Sequence, residues 1–347
     1  MADRGKKDSK PFSLGTLAAA GVGAVMGLRA LRRSGMSFEG KTVLITGGSR
    51  GLGFILARLF LEEGARVAIT GREAQTLERA RAELAHVGGE VLAVMGDVRD
   101  QVQVESLVAE VHERFGAVDV LVNNAGIIQA GPLESMTLED FREAMDTHFW
   151  ATLYTTLAVL PEMKRRGEGR IVNIASFAGR VAAPHLIPYN ASKFAQVGLS
   201  DGLRTELAQD GISVTTVCPG LMRTGSPPNA YFKGDHEAEY AWFFVSDSLP
   251  GLSMNAERAA RKIIEAARRG DAEILVGLPA KLGVLARTLA PNLTQSLLAF
   301  VNRRLPQDGS TDRFRGSESE TPITQSWVTE TSRHAAERNN ETEVPLH

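Results

Sequence analysis

Thr42-Val43-Leu44-Ile45-Thr46-Gly47-Gly48-Ser49-Arg50-Gly51-Leu52-Gly53 is the stretch that decides how this chain folds. Its first five residues form an apolar run of strand length, rich in β-branched side chains. The spaced glycines then let the backbone turn sharply and stay bare, and a helix through Glu63, closed by Gly64, follows. A strand that turns through glycines into a helix leaves N–H groups at the positive helix end, so a dinucleotide pyrophosphate is expected there. A glycine-rich turn also serves as a tight connection, but its place between first strand and first helix favours the phosphate reading. The spacing is Thr46-Gly47-x-x-x-Gly51-x-Gly53, not Gly-x-Gly-x-x-Gly.

Outward from this turn, short apolar runs alternate with helical periodicity as far as Val276. Strands are expected over 66–70, 91–95, 119–122, 170–175, 212–217 and 273–276. Helices are expected over 73–87, about 104–115, 138–166, 189–209, and from an Asn255 N-cap to Gly270. This alternation predicts an α/β fold, a doubly wound parallel sheet of about seven strands covered on both faces. Its site should lie at the carboxyl ends of the strands. Gly47, Asn123, Ser176 and Pro219 each follow an expected strand, so four motifs converge on one edge.

Tyr189 and Lys193 are four residues apart, and Ser176 lies thirteen residues before Tyr189. On a helix, residues four apart share a face, and an ammonium beside a phenol favours the phenolate. A proton shuttle near neutrality needs the phenol lowered from about 10 by about 3 units, or roughly 4 kcal/mol. Lys193 is placed to supply part of that, and the Ser176 hydroxyl to hold a substrate oxygen. Taken alone, Tyr-x-x-x-Lys also fits two surface residues on one helix face.

Together, Thr46-Gly-x-x-x-Gly-x-Gly53, Asn123-Asn124-Ala125-Gly126, Ser176, Tyr189-x-x-x-Lys193 and Pro219-Gly220 with Thr224 resemble the short-chain dehydrogenase/reductase family, in its order and near its spacings. The resemblance spans roughly residues 40–276 and implies a Rossmann-like fold and a nicotinamide cofactor. It implies that Tyr189 exchanges a proton with a carbonyl or alcohol, that Lys193 lowers its pKa and bonds the nicotinamide ribose, and that Ser176 orients the carbonyl. It also implies cofactor contacts from Thr46, Gly47, Ser49, Arg50, Gly51, Gly53, Asn124, Ala125, Gly126, Pro219, Gly220 and Thr224. Asp97, with Val98, would meet the adenine. The family further implies a homodimer or homotetramer, assembled through the helices that follow Thr137 and Pro188.

One position departs from the pattern. Where the family usually has an asparagine that holds a water near the lysine, this chain has His148. Histidine both donates and accepts hydrogen bonds, so a relay role is expected, against the alternative of a satisfied helix histidine. The second strand ends Thr70-Gly71-Arg72 without an acid, and Arg50 lies in the glycine turn. Two guanidiniums without a nearby carboxylate suit a 2′-phosphate, so NADP(H) is expected rather than NAD(H). Residues 225–254 correspond to the family's mobile lid, and hold Tyr231, Phe232, Tyr240, Trp242, Phe243 and Phe244. These suggest a bulky apolar carbonyl or alcohol substrate such as a steroid, retinoid or lipid ketone; alternatively they pack the lid or a subunit contact.

Composition narrows the remaining choices. A net charge of −2 leaves no general electrostatic footprint for nucleic acid. The single cysteine, Cys218, excludes an internal disulfide and suits a cytoplasmic setting, and no multi-cysteine or HExxH-type metal pattern occurs. The chain divides into a basic and apolar arm (1–36), a catalytic domain (37–278), an apolar, basic extension (279–305) and a polar tail expected to be disordered (306–347). Residues 12–28 are uncharged and flanked by Lys and Arg, which fits a marginal membrane anchor, a signal-peptide core or a packed helical arm. The extension reads as an interfacial amphipathic element or as a helical addition packed on the core or a partner subunit, interrupted at Pro291. The rivals to an oxidoreductase are a noncatalytic NADP-binding scaffold and an isomerase or dehydratase on the same fold.

Overall fold

In the computed structural model, residues 35–249, 251–307, 309–326 and 329–341 are described. The first strand, β1 (Thr42–Thr46), is buried at every residue. A strand buried on both faces belongs in the middle of a parallel sheet, and β1 lies between β2 (Arg66–Gly71) and β4 (Val120–Asn123). With β3 (Val91–Met95), β5 (Gly169–Ile174), β6 (Ile212–Pro219) and β7 (Glu273–Val276), it forms a seven-stranded parallel sheet ordered β7-β6-β5-β4-β1-β2-β3. The order reverses between β1 and β4. The crevice for a ligand therefore opens above their carboxyl ends.

Helices cover both faces. On one, α3 (Gln101–Phe115) and α5 (Ala151–Arg166) press Val111, Phe115, Val159 and Met163 onto Leu44, Leu121, Ile171 and Val214. On the other lie α1 (Gly51–Glu62) and α8 (Ala256–Arg269), joined at their surfaces by an Arg58–Glu257 ion pair at 3.3 Å. Asn255 caps α8 by accepting from the Arg258 N–H. The helix α2 (Ala74–Ala85) connects β2 to β3, and α6 (Ile187–Leu207) connects β5 to β6.

The helix expected over 138–166 is not uniform. It runs as α4 (Leu138–Met145), then a wide π turn over Asp146–Trp150, then α5. A π turn inserts one residue and re-aims the side chains it carries. His148 sits in this turn and is wholly buried.

The extension beyond β7 forms α9 (Leu278–Leu289) and α10 (Pro291–Asn302), separated at the residue before Pro291. Ala280 is buried against the core, while Leu278, Leu282, Leu285, Leu289, Leu293 and Leu297 are all more than half exposed.

The polar tail was expected to be disordered, and over its described residues the structure differs. Phe314–Arg315 adds a short antiparallel strand to Tyr231–Phe232, which itself runs parallel to Gln129–Ala130. A final helix, α11 (Glu330–Arg338), buries Ser332, Ala335 and Ala336. Much of the anchoring is polar or local. The His236 ring stacks on Phe314 at 3.8 Å and bonds Ser319 Oγ, and Ser332 Oγ meets Ser248 Oγ at 2.9 Å. Such contacts leave no apolar period in the sequence, which explains why composition alone suggested disorder. The possible anchor at residues 12–28 lies outside the described residues. No helix among the described residues is long and apolar enough to cross a membrane.

Candidate active site

The glycine turn is shaped by close approach. Gly47 has φ +62°, and a Cβ on Gly53 would lie 2.2 Å from Gly47 O, so no side chain fits there. Across the crevice, Thr46 Oγ1 accepts the Asn124 and Ala125 N–H groups at 3.0 and 3.1 Å. Asn124 Nδ2 returns hydrogen bonds to Thr46 O and Gly47 O, both at 3.0 Å. These bonds clasp the end of β1 to the end of β4. The cleft above them has a volume of about 380 Å³. It is lined by Gly47, Ser49, Arg50, Gly51, Arg72, Asp97, Val98, Asn124, Ala125, Gly126, His148, Ser176, Tyr189, Lys193, Pro219, Gly220 and Thr224. Thr46 and Gly53 stand behind this lining and shape it.

Ser176 leaves β5 as the cap of a short helical turn, its Oγ accepting from Ala178 N–H at 3.1 Å. Its side chain stands near enough to the Tyr189 phenol to favour the ionised form. Tyr189 enters on the first turn of α6, just after Pro188, and Lys193 follows one turn later, with Nζ 5.7 Å from the Tyr189 ring centroid. The side chains thus meet as their spacing predicts. The electrostatics differ from expectation. Burial holds the Tyr189 phenol above its ordinary value, and the neighbouring Ser176 hydroxyl only partly offsets this. Lys193 is turned toward Ile174 O at 2.9 Å and Gln196 Oε1 at 3.0 Å, rather than toward the phenol oxygen. Burial pulls its ammonium down to about 7, while both partners are acceptors that favour the charged form.

His148 is bonded on both ring nitrogens. Nε2 accepts the Ile127 N–H at 3.2 Å, which places the proton on Nδ1, 2.8 Å from Ser192 Oγ. Burial, and then the Lys193 charge, hold the ring well below its usual pKa, so it stays neutral. Its plane stands at 88° to Tyr189, with ring centroids 5.3 Å apart. Both ring nitrogens are thus bonded within the chain. These contacts match the alternative of a satisfied helix histidine, in which the ring holds Ser192, the strand exit at Ile127 and the edge of Tyr189. The residue that does reach Lys193 is Gln196, whose Nε2 donates to Thr152 Oγ1 at 2.9 Å. Sequence reasoning missed Gln196, although it stands three residues after Lys193 and so faces the same way.

Two more of the expected residues have partners within the chain. Arg50 is not clear of carboxylates: Nη1 lies 3.9 Å from Glu73 Oε2 and donates to Asn229 Oδ1 at 3.1 Å. Asp97 spends its carboxylate on Arg99, at distances down to 2.6 Å; these bonds outweigh burial and keep it below the usual range. The lid helix, α7 (His236–Ser248), uses most of its aromatics internally. Tyr240, Phe243 and Phe244 cluster with Phe232, and of these only Phe243 also lines the cleft. No group of three or more side chains suited to a metal occurs among the described residues.

A glycine turn at the β1–β4 reversal and a Ser-Tyr-Lys cluster at the same sheet edge define a class, the dinucleotide-dependent oxidoreductases of Rossmann type. Comparison with known proteins agrees. A family profile for short chain dehydrogenases matches residues 41–230. Dehydrogenase/reductase SDR family member 7B of Bos taurus is 33% identical over 269 residues, spanning 76% of this chain and 81% of that protein. Oxidoreductase UcpA of Salmonella typhimurium is 42% identical over 186 residues, 53% of this chain and 70% of its own length. A crystal structure of a short-chain dehydrogenase from Streptomyces avermitilis gives a TM-score of 0.67 at 30% identity, covering 78% of this chain and 99% of that one. The chain belongs to the short-chain dehydrogenase/reductase family. It is an oxidoreductase with a nucleotide-binding fold, and the family binds NAD(P)(H).

The role given to His148 has a measurable consequence. His148→Ala removes two buried hydrogen bonds and a ring contact, and is expected to cost about 2–4 kcal/mol of stability. In the protein that remains folded, the pH dependence of turnover keeps its shape. Chemical denaturation and a pH–rate profile check both parts; a displaced profile with unchanged stability would support the relay.

Proposed function

We propose that the chain is an NADP(H)-dependent oxidoreductase that interconverts a bulky apolar carbonyl compound and its alcohol. The observation that carries this reading is the meeting of Ser176, Tyr189 and, one helical turn on, Lys193 in the same cleft as the glycine turn. When bound, the nicotinamide supplies or accepts the hydride. The Tyr189 phenol oxygen gives its proton to the carbonyl oxygen in reduction and takes it back in oxidation. Ser176 Oγ orients that oxygen. Lys193 uses two of its three hydrogens on Ile174 O and Gln196, which leaves one for a ribose hydroxyl. Its charge, close to the Tyr189 ring, favours the phenolate, and an oxidised nicotinamide adds a second positive charge.

The apolar substrate reading rests on the wall opposite the glycine turn. Ile128, Phe177, Ala183, Leu186, Leu221 and Phe243 line it, with Ser176, Tyr189 and the buried Asp247 among the polar groups of the same cleft. The preference for NADP(H) rests on Arg50 and Arg72 at the rim, where no acid stands at the end of β2. Glu73 competes for Arg50 only weakly, at 3.9 Å and with its side chain half exposed.

Assembly and location follow from exposed apolar side chains. Trp150, Leu157 and Phe194, on the π turn, α5 and α6, support a homodimer or homotetramer built through these helices. The face of α9 and α10 carries its leucines beside Lys281, Arg287, Arg303 and Arg304, with no Asp or Glu from 274 to 307. Apolar side chains flanked only by cations suit an anionic lipid surface. This supports a cytoplasmic enzyme held against a membrane, from which an apolar substrate would arrive.

Three measurements test these statements. NADPH oxidation across a panel running from small aldehydes to steroids and long-chain ketones is expected with the larger apolar members, and Tyr189→Phe is expected to lose at least about a hundredfold in rate. Nucleotide binding without turnover in either protein would support the scaffold instead. NADPH is expected to bind at least about tenfold more tightly than NADH, equivalent to about 1.4 kcal/mol, with Arg72→Ala narrowing the gap; equal affinities would end the NADP(H) reading. An environment-sensitive fluorophore on Leu293→Cys is expected to shift blue with anionic vesicles, and one on Val102→Cys is not. Cys218 is buried and leaves the label specific. Unchanged emission at position 293 would count against the membrane face.

A further inference from the structure

The turn that should receive phosphates already has a partner within the chain. Gly51 N–H, at the start of α1, donates to Asn339 O at 2.9 Å. The next residue, Asn340, is buried, with Nδ2 donating to Ser49 O at 2.7 Å and Thr76 O at 3.2 Å, while its Oδ1 accepts from Arg79 Nε. Asn340 holds φ +58°, a conformation asparagine tolerates better than most residues. Glu341 completes the insertion. Its carboxyl accepts the Gly225 N–H, and its Oε1 lies 2.7 Å from where a Gly51 Cβ would stand. Its main-chain oxygen accepts from Asn229 Nδ2 at 3.1 Å, and Asn229 is the residue that holds Arg50.

The insertion occupies the ground where a dinucleotide has most to gain. A helix N-terminus, the main-chain oxygen of Ser49 and the residues around Arg50 form one continuous surface, and residues 339–341 cover it. Burial raises the Glu341 carboxyl to about 8, opposed by the Gly225 N–H and by Arg50. A neutral carboxyl gains less from the positive helix end than a diphosphate would, so the segment is a replaceable occupant. It is also tethered to the lid: α11, which ends at Arg338, packs through Ser332 against Ser248 at the end of α7.

We propose that residues 339–341 are an intramolecular competitor for the phosphate-binding turn, so that the C-terminal segment must leave before a dinucleotide is seated. This rests on the reading that the Gly51 turn takes dinucleotide phosphates. Two ligands of one N–H group exclude each other, and the apparent affinity for the nucleotide falls by the fraction of molecules with the segment withdrawn. Because the segment continues from α11, its departure also frees one support of the lid helix, which links cofactor entry to opening on the substrate side.

Two measurements on the full chain test this. NADPH titration compares the native sequence with the double variant Asn340→Ala, Glu341→Ala. The variant is expected to bind about tenfold more tightly, as when a segment docked in about nine molecules of ten is lost. Hydrogen exchange on the native chain is expected to accelerate over 330–341 when NADPH is added. Unchanged or weaker binding by the variant overturns the proposal, as does NADPH that slows exchange there, because the segment would then be a clamp on the bound nucleotide. The exchange measurement needs no substitution, so it stands even if the variant folds poorly. Absence of NADPH and NADH binding in both chains would remove the reading of the turn itself, an outcome distinct from a ratio near one.

Discussion

A buried ammonium governs the architecture around the site. Lys193 is only 4% exposed, and a cation removed from water must be met by acceptors on every available side. Ile174 O, from the end of β5, and Gln196, from the next turn of α6, meet it here. Gln196 in turn needs Thr152, whose hydroxyl is spent on His148 O at 2.7 Å. The polar chain thus runs from α6 into α5 and the π turn, where His148 holds Ser192 and Ile127. The wide turn is the local deformation that brings His148 into this network. An unsatisfied member would cost about 1–3 kcal/mol, so the network tolerates few substitutions.

The same logic extends under the sheet edge. Thr155 Oγ1 donates to Asn123 Oδ1 at 2.6 Å, Asn123 Nδ2 to Asn173 Oδ1 at 2.9 Å, and Asn173 Nδ2 to Ser200 Oγ at 3.0 Å. These groups bind β4, β5, α5 and α6 together beneath the cleft. Above them, the Thr46–Asn124 clasp fixes the distance between β1 and β4. A ligand-binding crevice is thus held open by polar contacts on its floor, while the apolar core, Leu44 and Leu121 among it, lies deeper. Rigid support of this kind keeps Ser176, Tyr189 and the glycine turn in one geometry.

Against that rigid floor, the upper parts are held differently. The lid helix is fixed by its own aromatic cluster and by the buried contact of Glu239 with His185 at 2.5 Å. The C-terminal segment reaches over it largely by polar contacts. Contacts that water can replace are easier to exchange than apolar packing, so the C-terminal segment is held by the more exchangeable kind.

The sequence by itself determined the α/β alternation, the glycine turn after β1, the seven strands and the pairing of Tyr189 with Lys193. Each of these depends on short-range periodicity or on residues one turn apart, where backbone geometry leaves little choice. Tertiary structure alone decided the rest. Only packing shows that Lys193 faces Ile174 and Gln196, that both nitrogens of His148 are occupied, and that Glu73 stands beside Arg50. Composition made 306–347 look like a solvated tail, yet its described residues up to 341 are held by hydrogen bonds to partners as distant in sequence as Ser49 and Gly225. A hydrogen bond carries no signature in local hydropathy; it exists only where two distant segments meet, and the fold decides that.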